Sequence, residues 1–266
     1  MNFTRREFLG LAGLLGLSAS ASARILPIGG QSGPFQVAMV GDLHISDARS
    51  MALVCKAAGQ IAATRDVRFV VVAGDLATDA KLSELNMAKE ALRNLQVPCM
   101  AVPGNHDVEP RAARPFGNFE NVFGPLHWVR DQNGWTFIGL NSCEGASSNV
   151  TIPSSELNWL RKRVKAIKSN RPIALILHHP LNPNTKAYRV KNADAVLDIF
   201  SGKNLKLAAA GHYHGNQVEE HNGVLFTTTA CCSSTRGNFD NTTAKGYRLF
   251  TFDGDSVSGE FVEVAP

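Results

Sequence analysis

The sequence predicts an α/β fold in which two packed, mixed β-sheets are flanked by helices. Three observations lead to this prediction. Continuous apolar runs alternate with helical segments in the first half of the chain, hairpin-like pairs of strands follow in the second half, and no repeat or Pro/Ser-rich linker interrupts the chain after Gly33. Continuous apolar runs indicate strands that are buried on both faces. With 266 residues, of which 44% are hydrophobic and 19% charged, the chain can bury such a core.

The first half is predicted to consist of strands connected by helices. Apolar runs at 35–40, 69–73 and 99–102 predict three strands. Helices are predicted between them, over about 48–64 and 82–95, and in the second of these leucine and alanine recur on one face. This alternation is typical of parallel strands joined by helical crossovers.

The second half is predicted to begin with a hairpin and to end in several strands. Segments 128–130 and 135–140 flank a turn at 131–134, and Pro153 opens a basic helix over about 154–169. Further strands are predicted at 173–177, 205–210, 224–229, 247–252 and 256–262. Because no linker separates these elements from those of the first half, residues 35–266 are expected to form a single domain.

The first 23 residues resemble an export signal. Arg5 and Arg6 precede an apolar stretch of roughly ten residues, short of the ~20 that span a bilayer, and an Ala-Ser-Ala sequence at 21–23 has the form of a cleavage site. The arginine pair resembles a bacterial twin-arginine signal, which is an address and not an anchor. We expect cleavage after residue 23, a short linker over 24–34, the twin-arginine translocation machinery as a partner, and a periplasmic or secreted mature protein. The alternative is an amphipathic first helix.

Charge and hydropathy disfavour two classes of partner. The formal net charge is +4, and the longest basic run is only the three residues 161–163, so no stable nucleic-acid partner is expected. The one long apolar stretch lies at the N-terminus, which argues against a polytopic membrane protein, and we expect no membrane anchor. Composition thus predicts a globular domain without indicating its chemistry.

Polar residues cluster where the predicted strands stop. Six of the eight histidines lie in motifs that follow apolar runs. Because the carboxyl ends of strands line the ligand crevice of open α/β sheets, we expect these motifs to converge. Histidines and carboxylates gathered on strand ends are typical of a metal site. The motifs are Asp-x-His at 42–44, Gly-Asp at 74–75, Gly-Asn-His-Asp at 104–107, His-His at 178–179 and Gly-His-Tyr-His at 211–214.

Each motif alone is weak evidence of a functional site, because Gly-Asp often forms a turn and His-x-His often lies on the surface without a function. In this order, over about 37–214, they resemble the calcineurin-like metallophosphoesterase family, and in particular its compact bacterial cyclic-nucleotide phosphodiesterase type. The resemblance implies two metal ions bridged by Asp75. The ligands that it implies are Asp42, His44, Asp75 and His214 for one ion, and Asp75, Asn105, His178 and His212 for the other.

The resemblance also implies the chemistry. Two ions held ~3.5–4 Å apart can clamp the attacking and leaving oxygens at phosphorus, so we expect hydrolysis of a phosphate ester by metal-bound hydroxide. His106 is expected to donate to the leaving oxygen or to stabilise the transition state, and Asp107 to orient His106. Four imidazoles among the ligands favour iron, manganese, zinc or cobalt, as a divalent or mixed-valence pair. Purple acid phosphatases carry a tyrosine ligand where this chain has Thr78, so their coloured centre is not expected.

The expected substrate is a small-molecule phosphate ester, with a phosphodiester favoured by the compact set of motifs. The alternative activity is that of a phosphomonoesterase resembling acid phosphatases or nucleotidases. A non-catalytic binding protein of the same fold is a third alternative, which the complete set of ligands disfavours. Four further residues stay open: Arg111, Arg114 and Arg236 as substrate contacts or solvated arginines, and His179 as a supporting or substrate contact or as part of the loop.

Overall fold

A computed structural model describes residues 33–185 and 188–265. The predicted export signal and most of the predicted linker lie outside the described residues. Within them, no helix is long and apolar enough to cross a membrane. The strands are β1 Phe35–Val40, β2 Val67–Ala73, β3 Cys99–Val102, β4 Trp128–Gln132, β5 Trp135–Gly139, β6 Pro172–Ile176, β7 Asn204–Ala210, β8 Gln217–His221, β9 Val224–Thr228, β10 Gly246–Asp253 and β11 Ser256–Glu263. The α-helices are α1 Met51–Ala63, α2 Leu82–Ala91, α3 Gly117–Phe123, α4 Ser154–Ala166 and α5 Ala193–Leu197.

The strands form two mixed sheets, as predicted. The first sheet has the order β11-β10-β1-β2-β3, in which β1, β2 and β3 are parallel and β10 and β11 are antiparallel additions. The second has the order β4-β5-β6-β7-β9-β8, in which β5, β6, β7 and β9 are parallel and the two edge strands antiparallel. The parallel strands of each sheet therefore end at one edge.

Apolar side chains fill the space between the sheets and cover their outer faces. Along β1, Val37 and Met39 belong to the layer between the sheets, whereas Ala38 and Val40 pack beneath the helices on the outside. Aromatic rings dominate the inner layer, where Phe69 lies 4.9 Å from Phe137 between ring centroids. Burying each such ring contributes about 1.5–3 kcal/mol. This layer holds the two sheets together and fixes their edges relative to each other.

Helices cover both outer faces, which confirms the predicted architecture. Residues of α1, α2 and α3 pack on the first sheet, and residues of α4 and α5 pack on the second. The predicted turn at 131–134 was too long: it consists of Asn133 and Gly134 only, at φ 44° and 87°, and β4 extends to Gln132. An Asn-Gly pair forms this tight hairpin turn because both residues accept positive φ. The strand β8 was not predicted because it is a polar edge strand with no apolar run.

Candidate metal centre

The five motifs lie at the carboxyl ends of β1, β2, β3, β6 and β7, and hydrogen bonds join their loops. The backbone N–H of Asp42 donates to the carbonyl of Gly74 at 3.0 Å, and that of His44 to the carbonyl of Asp75 at 2.9 Å. Between the sheets, the N–H of His212 donates to Oδ1 of Asp42 at 2.9 Å. The predicted convergence of the motifs is therefore present.

The first group of donors consists of Asp42, His44, Asp75 and His214, all buried, with one ligand atom of each within 4.8 Å of the others. Nε2 of His214 lies 3.2 Å from Nε2 of His44 and 3.3 Å from Oδ1 of Asp42. Nε2 of His44 lies 3.6 Å from Oδ2 of Asp75. Two carboxylates and two imidazoles thus point to one place. We call this group the first donor set.

The second donor set is centred on Nε2 of His178. This atom lies 3.3 Å from Oδ1 of Asn105, 3.1 Å from Nδ1 of His212 and 3.3 Å from Oδ1 of Asp75. The two oxygens of Asp75 are therefore divided between the sets, with Oδ2 toward the first and Oδ1 toward the second. A carboxylate placed in this way can bridge two cations.

In three of the histidines, the ring nitrogen that faces away from the donor sets is hydrogen-bonded to a backbone carbonyl, which suits the binding of metal ions by the other nitrogen. Nδ1 of His178 lies 2.8 Å from the carbonyl of Ala73, Nε2 of His212 lies 3.0 Å from that of Ser148, and Nδ1 of His214 lies 3.0 Å from that of Gly237. A carbonyl only accepts, so each outer nitrogen carries a proton, and each ring turns a lone pair inward when it is neutral. Inner donor atoms just over 3 Å apart match the spacing of ligands that bind one ion at about 2.1 Å.

The carboxylates of Asp42 and Asp75 attract positive charge, whereas burial lowers the pKa of His44 to about 3 and that of His212 to about 4. Burial lowers the pKa of His214, but the charge of Asp42, the hydrogen bond to it and the neighbouring Cys231 together outweigh burial and raise the pKa to about 11. Burial also lowers the pKa of His178, but the charges of Asp75 and Asp42, together with hydrogen bonds to Asp75 and Ala73, outweigh burial and raise the pKa to about 9. The pKa of Asp75 itself is held well below its ordinary range, because His178 and His44 outweigh the effect of burial. The field of these carboxylates would hold divalent cations.

Five of the candidate ligands have backbone in the left-handed region that favours glycine. Their φ angles are 55° at Asp42, 45° at His44, 54° at Asp75, 63° at His212 and 48° at His214. Side chains with a Cβ rarely adopt this conformation, and each such residue costs about 1–3 kcal/mol. Strain of this kind concentrates at functional sites. The loops are therefore shaped to aim side chains inward rather than to minimise local energy.

Motif glycines let the loops approach the ligands. A Cβ built on Gly104 would stand 2.1 Å from Oδ1 of Asp75, and one built on Gly74, at φ 83°, would stand 2.5 Å from Nδ1 of His178. Both distances are far inside van der Waals contact. The chain therefore needs glycine at both positions to place Asp75 and His178.

Replacing Gly104 by alanine is expected to displace Asp75, to lower metal content below two ions per chain, and to lower the free energy of unfolding by about 1–3 kcal/mol through overpacking. Elemental analysis and urea unfolding measure both effects. Gly59→Ala is the matched control, because Gly59 lies on the exposed face of α1 and a Cβ there meets nothing within 4 Å. The control is expected to raise stability by up to about 1 kcal/mol. Full metal content in Gly104→Ala would contradict the argument.

His106 lies in the short 3₁₀ turn Asn105–Asp107 and lines the pocket in front of the donor sets. Its Nδ1 lies 2.7 Å from the carbonyl of Thr78, and its backbone N–H donates to Oδ1 of Asp75 at 2.9 Å. The Thr78 carbonyl holds a proton on Nδ1. A neutral His106 therefore has its lone pair on Nε2, and the imidazolium donates from that atom.

Asp107, which was predicted to orient His106, directs its carboxylate to backbone N–H groups. The Asp107 carboxylate accepts from the backbone N–H of Ala77 and from that of Gly104, both at 2.9 Å. It is fully buried, and burial, followed by the charge of Asp75, raises its pKa to about 7. Backbone N–H groups in these two loops need an acceptor, and Asp107 is the group that reaches them. Its role in the structure is to tie the two loops together.

A pocket of about 360 Å³ lies in front of the donor sets. Arg236 lines it, whereas Arg111 does not, and Arg114 pairs with Glu120 at 2.8 Å. His179 is buried beside the second donor set, with Nδ1 2.9 Å from Oγ of Ser142.

The lining of the pocket includes two aromatic residues that the sequence analysis did not predict, because isolated aromatic residues in polar loops follow no periodic pattern. They are Tyr188 and Phe239.

Comparison with known proteins agrees with this geometry. The family model described as calcineurin-like phosphoesterase matches residues 35–216. A probable cyclic nucleotide phosphodiesterase of Synechococcus is 25% identical over 223 residues, which cover 79% of this chain and 84% of the relative. The 3′,5′-cyclic adenosine monophosphate phosphodiesterase CpdA of Escherichia coli K12 is 25% identical over 200 residues, 71% of each chain.

Solved structures show the same fold. A dimetal phosphatase from Danio rerio superposes with a TM-score of 0.67 at 15% identity, covering 88% of this chain and 97% of that one. At this identity the similarity concerns the fold alone. The family model covers most of the described residues. The structure also contains candidate ligand clusters for the divalent metals that the family uses. The chain belongs to the calcineurin-like phosphoesterase family and is a hydrolase of phosphate esters.

Proposed function

We propose that the chain is a binuclear phosphodiesterase that acts on small-molecule diesters with two first-row transition-metal ions, iron, manganese, zinc or cobalt. The observation that carries the proposal is the division of the Asp75 oxygens between two donor sets, at 3.6 Å from Nε2 of His44 and 3.3 Å from Nε2 of His178. One carboxylate shared by two sets of imidazoles suits a site that holds two ions close together.

In this proposal each donor set holds one ion. Bound ions would lower the pKa of water and polarise a phosphoryl oxygen. The two buried carboxylates, Asp42 and Asp75, contribute about −2 in charge, so two divalent ions would leave the site near +2. A net positive site of this kind favours an anionic phosphate ester.

The chain's own residues supply orientation and a proton. His106, held at Nδ1 by the Thr78 carbonyl, can donate from Nε2 to the oxygen of the leaving alcohol. Arg236 adds a positive charge at the pocket. Asp107 contributes by holding the loop that carries His106, rather than by contacting it.

Two observations support a diester over a monoester. The relatives from Synechococcus and Escherichia coli are named as cyclic nucleotide phosphodiesterases. In the described part of the chain, Arg236 is the single arginine that lines the pocket, whereas a monoester dianion favours more cationic contacts.

The test is metal content combined with turnover before and after chelation. We expect two transition-metal ions per chain, chelator-sensitive hydrolysis of bis(p-nitrophenyl) phosphate and cyclic AMP, and slower hydrolysis of p-nitrophenyl phosphate. Faster hydrolysis of the monoester would assign the phosphomonoesterase alternative. Activity that survives complete metal removal would contradict the binuclear mechanism.

We propose further that residues 1–23 are a twin-arginine signal, followed by a linker over 24–34, and that the domain at 35–266 functions in the periplasm or outside the cell. The support is the Arg5-Arg6 pair, the short apolar stretch after it and the Ala-Ser-Ala sequence.

Changing Arg5 and Arg6 together to lysine is expected to keep the full-length precursor inside the cell, because the twin-arginine receptor reads the guanidinium pair. Cell fractionation of a bacterium with this pathway, with N-terminal sequencing of the exported form, measures the effect. The control is the same double change at Arg161 and Arg163, which are exposed on α4. Export of the lysine variant at the original level would exclude this pathway.

A further inference from the structure

An aromatic ring stands exposed at the pocket that the donor sets line. Phe239 is 52% exposed, and it is the only aromatic among the exposed large hydrophobic residues in the described part of the chain. Its ring lies parallel to the imidazole of His214, with 5.0 Å between centroids and 13° between planes. A candidate ligand therefore covers part of this ring, and the remainder is free to contact a molecule in the pocket.

Hydrogen bonds hold the backbone that carries this ring. The N–H of Phe239 donates to the carbonyl of His214 at 3.2 Å. On either side, Nδ2 of Asn238 donates to the carbonyl of Ala244 at 2.7 Å, and Oδ2 of Asp240 accepts from the N–H of Asn216 at 2.9 Å. The ring is thus presented by a fixed segment, which limits the entropy lost when it contacts a ligand.

A second ring approaches from another loop. The ring of Tyr188 lies 4.9 Å from that of His212, at 78°, and 5.8 Å from that of Phe239. The two aromatic rings therefore adjoin one histidine of each donor set. Arg236, on the same loop as Phe239, places a positive charge at the same pocket.

We propose that Phe239, together with Tyr188, determines specificity by stacking on a planar aromatic ring carried by the substrate, such as a purine. The inference rests on the proposed phosphodiesterase function, and it names the group attached to the phosphate. The pocket has metal-binding donors, aromatic rings and a cation within about 360 Å³, which suits one small anionic ester with an aromatic substituent. Stacking of a base on a protein aromatic ring corresponds to about a 5- to 150-fold gain in affinity.

The test compares ligands that differ only in the base. Binding of adenosine 5′-monophosphate and of ribose 5-phosphate to the metal-loaded protein is measured by calorimetry for the wild type, Phe239→Ala and Phe239→Trp. We expect the wild type to bind the nucleotide about 5- to 150-fold more tightly than the sugar phosphate. Phe239→Ala is expected to remove most of this preference, and Phe239→Trp to restore it.

Two controls separate stacking from structural damage. Metal content of Phe239→Ala reports whether His214 has moved, and Val218→Ala removes an exposed apolar side chain on β8 that does not line the pocket. Equal affinity of the wild type for both ligands, or an equal loss for both in Phe239→Ala, would overturn the proposal. Because this test compares affinities and not diester turnover, failure of the diesterase assay would reject the proposed function, and the comparison of the two ligands would still decide whether the base is stacked.

Discussion

Replacing Asp75 by alanine or asparagine is expected to leave at most one metal ion per chain and to lower kcat/KM for diesters by at least about 10³-fold. The two oxygens of Asp75 face His44 and His178, so one substitution removes a donor from both sets. The loss of one ion removes several kcal/mol of transition-state stabilisation, and about 4 kcal/mol corresponds to 10³ in rate. Elemental analysis and steady-state kinetics measure the two effects.

The asparagine variant separates this effect from misfolding. Asparagine preserves the volume of Asp75 and accepts its left-handed backbone at φ 54°, so the metal-free variant is expected to fold. Asp66→Asn is the matched control, since Asp66 is an exposed aspartate with the same left-handed backbone, at φ 64° against 54° for Asp75. Two ions at full occupancy in Asp75→Ala would disprove the bridging role.

Replacing His106 by alanine is expected to preserve both metal ions and to lower kcat by about 10²–10⁴-fold, the range for loss of a general acid. His106 lines the pocket but is not among the clustered donors, and its Nδ1 is held by the Thr78 carbonyl. Metal content and kcat of the same preparation therefore separate it from the ligands.

The leaving group discriminates between the two roles of His106. A p-nitrophenolate leaves without protonation, whereas the alkoxide released from cyclic AMP requires a proton. If His106 is the acid, the loss is larger for cyclic AMP than for bis(p-nitrophenyl) phosphate, and equal losses would assign it to charge stabilisation instead. His221→Ala, at an exposed position of β8, is the control that should change neither rate. Undiminished turnover of both substrates in His106→Ala would exclude both roles.

The fold and the place of the site were predictable because both depend on patterns along the chain. The apolar run at 35–40 is a strand in the structure, and the Asp-x-His motif after it lies at the predicted edge. Hydrophobic burial sets the strands, and strand direction then determines where their carboxyl ends meet. The same logic misses β8, because an edge strand such as Gln217–His221 buries few apolar side chains.

Contacts between loops were not predictable in the same way. Asp107 follows His106 in sequence, yet the backbone N–H groups of Ala77 and Gly104 take its carboxylate, since those groups lack a partner in a strand or helix. The position of Phe239 depends on its N–H reaching the carbonyl of His214, which lies 25 residues earlier. No local pattern encodes these pairings, which arise only when separate loops are packed together.

The left-handed backbone at the candidate ligands affects which amino-acid substitutions these positions can accept during evolution. Glycine and asparagine accept positive φ more readily than aspartate and histidine do, so at Asp42, Asp75 or His212 these replacements would relieve backbone strain while giving up a metal ligand. A homologue that is no longer selected for catalytic activity would tolerate such substitutions without loss of stability. We expect loss of function in this lineage to appear first as glycine or asparagine at these positions, with the sheets left intact.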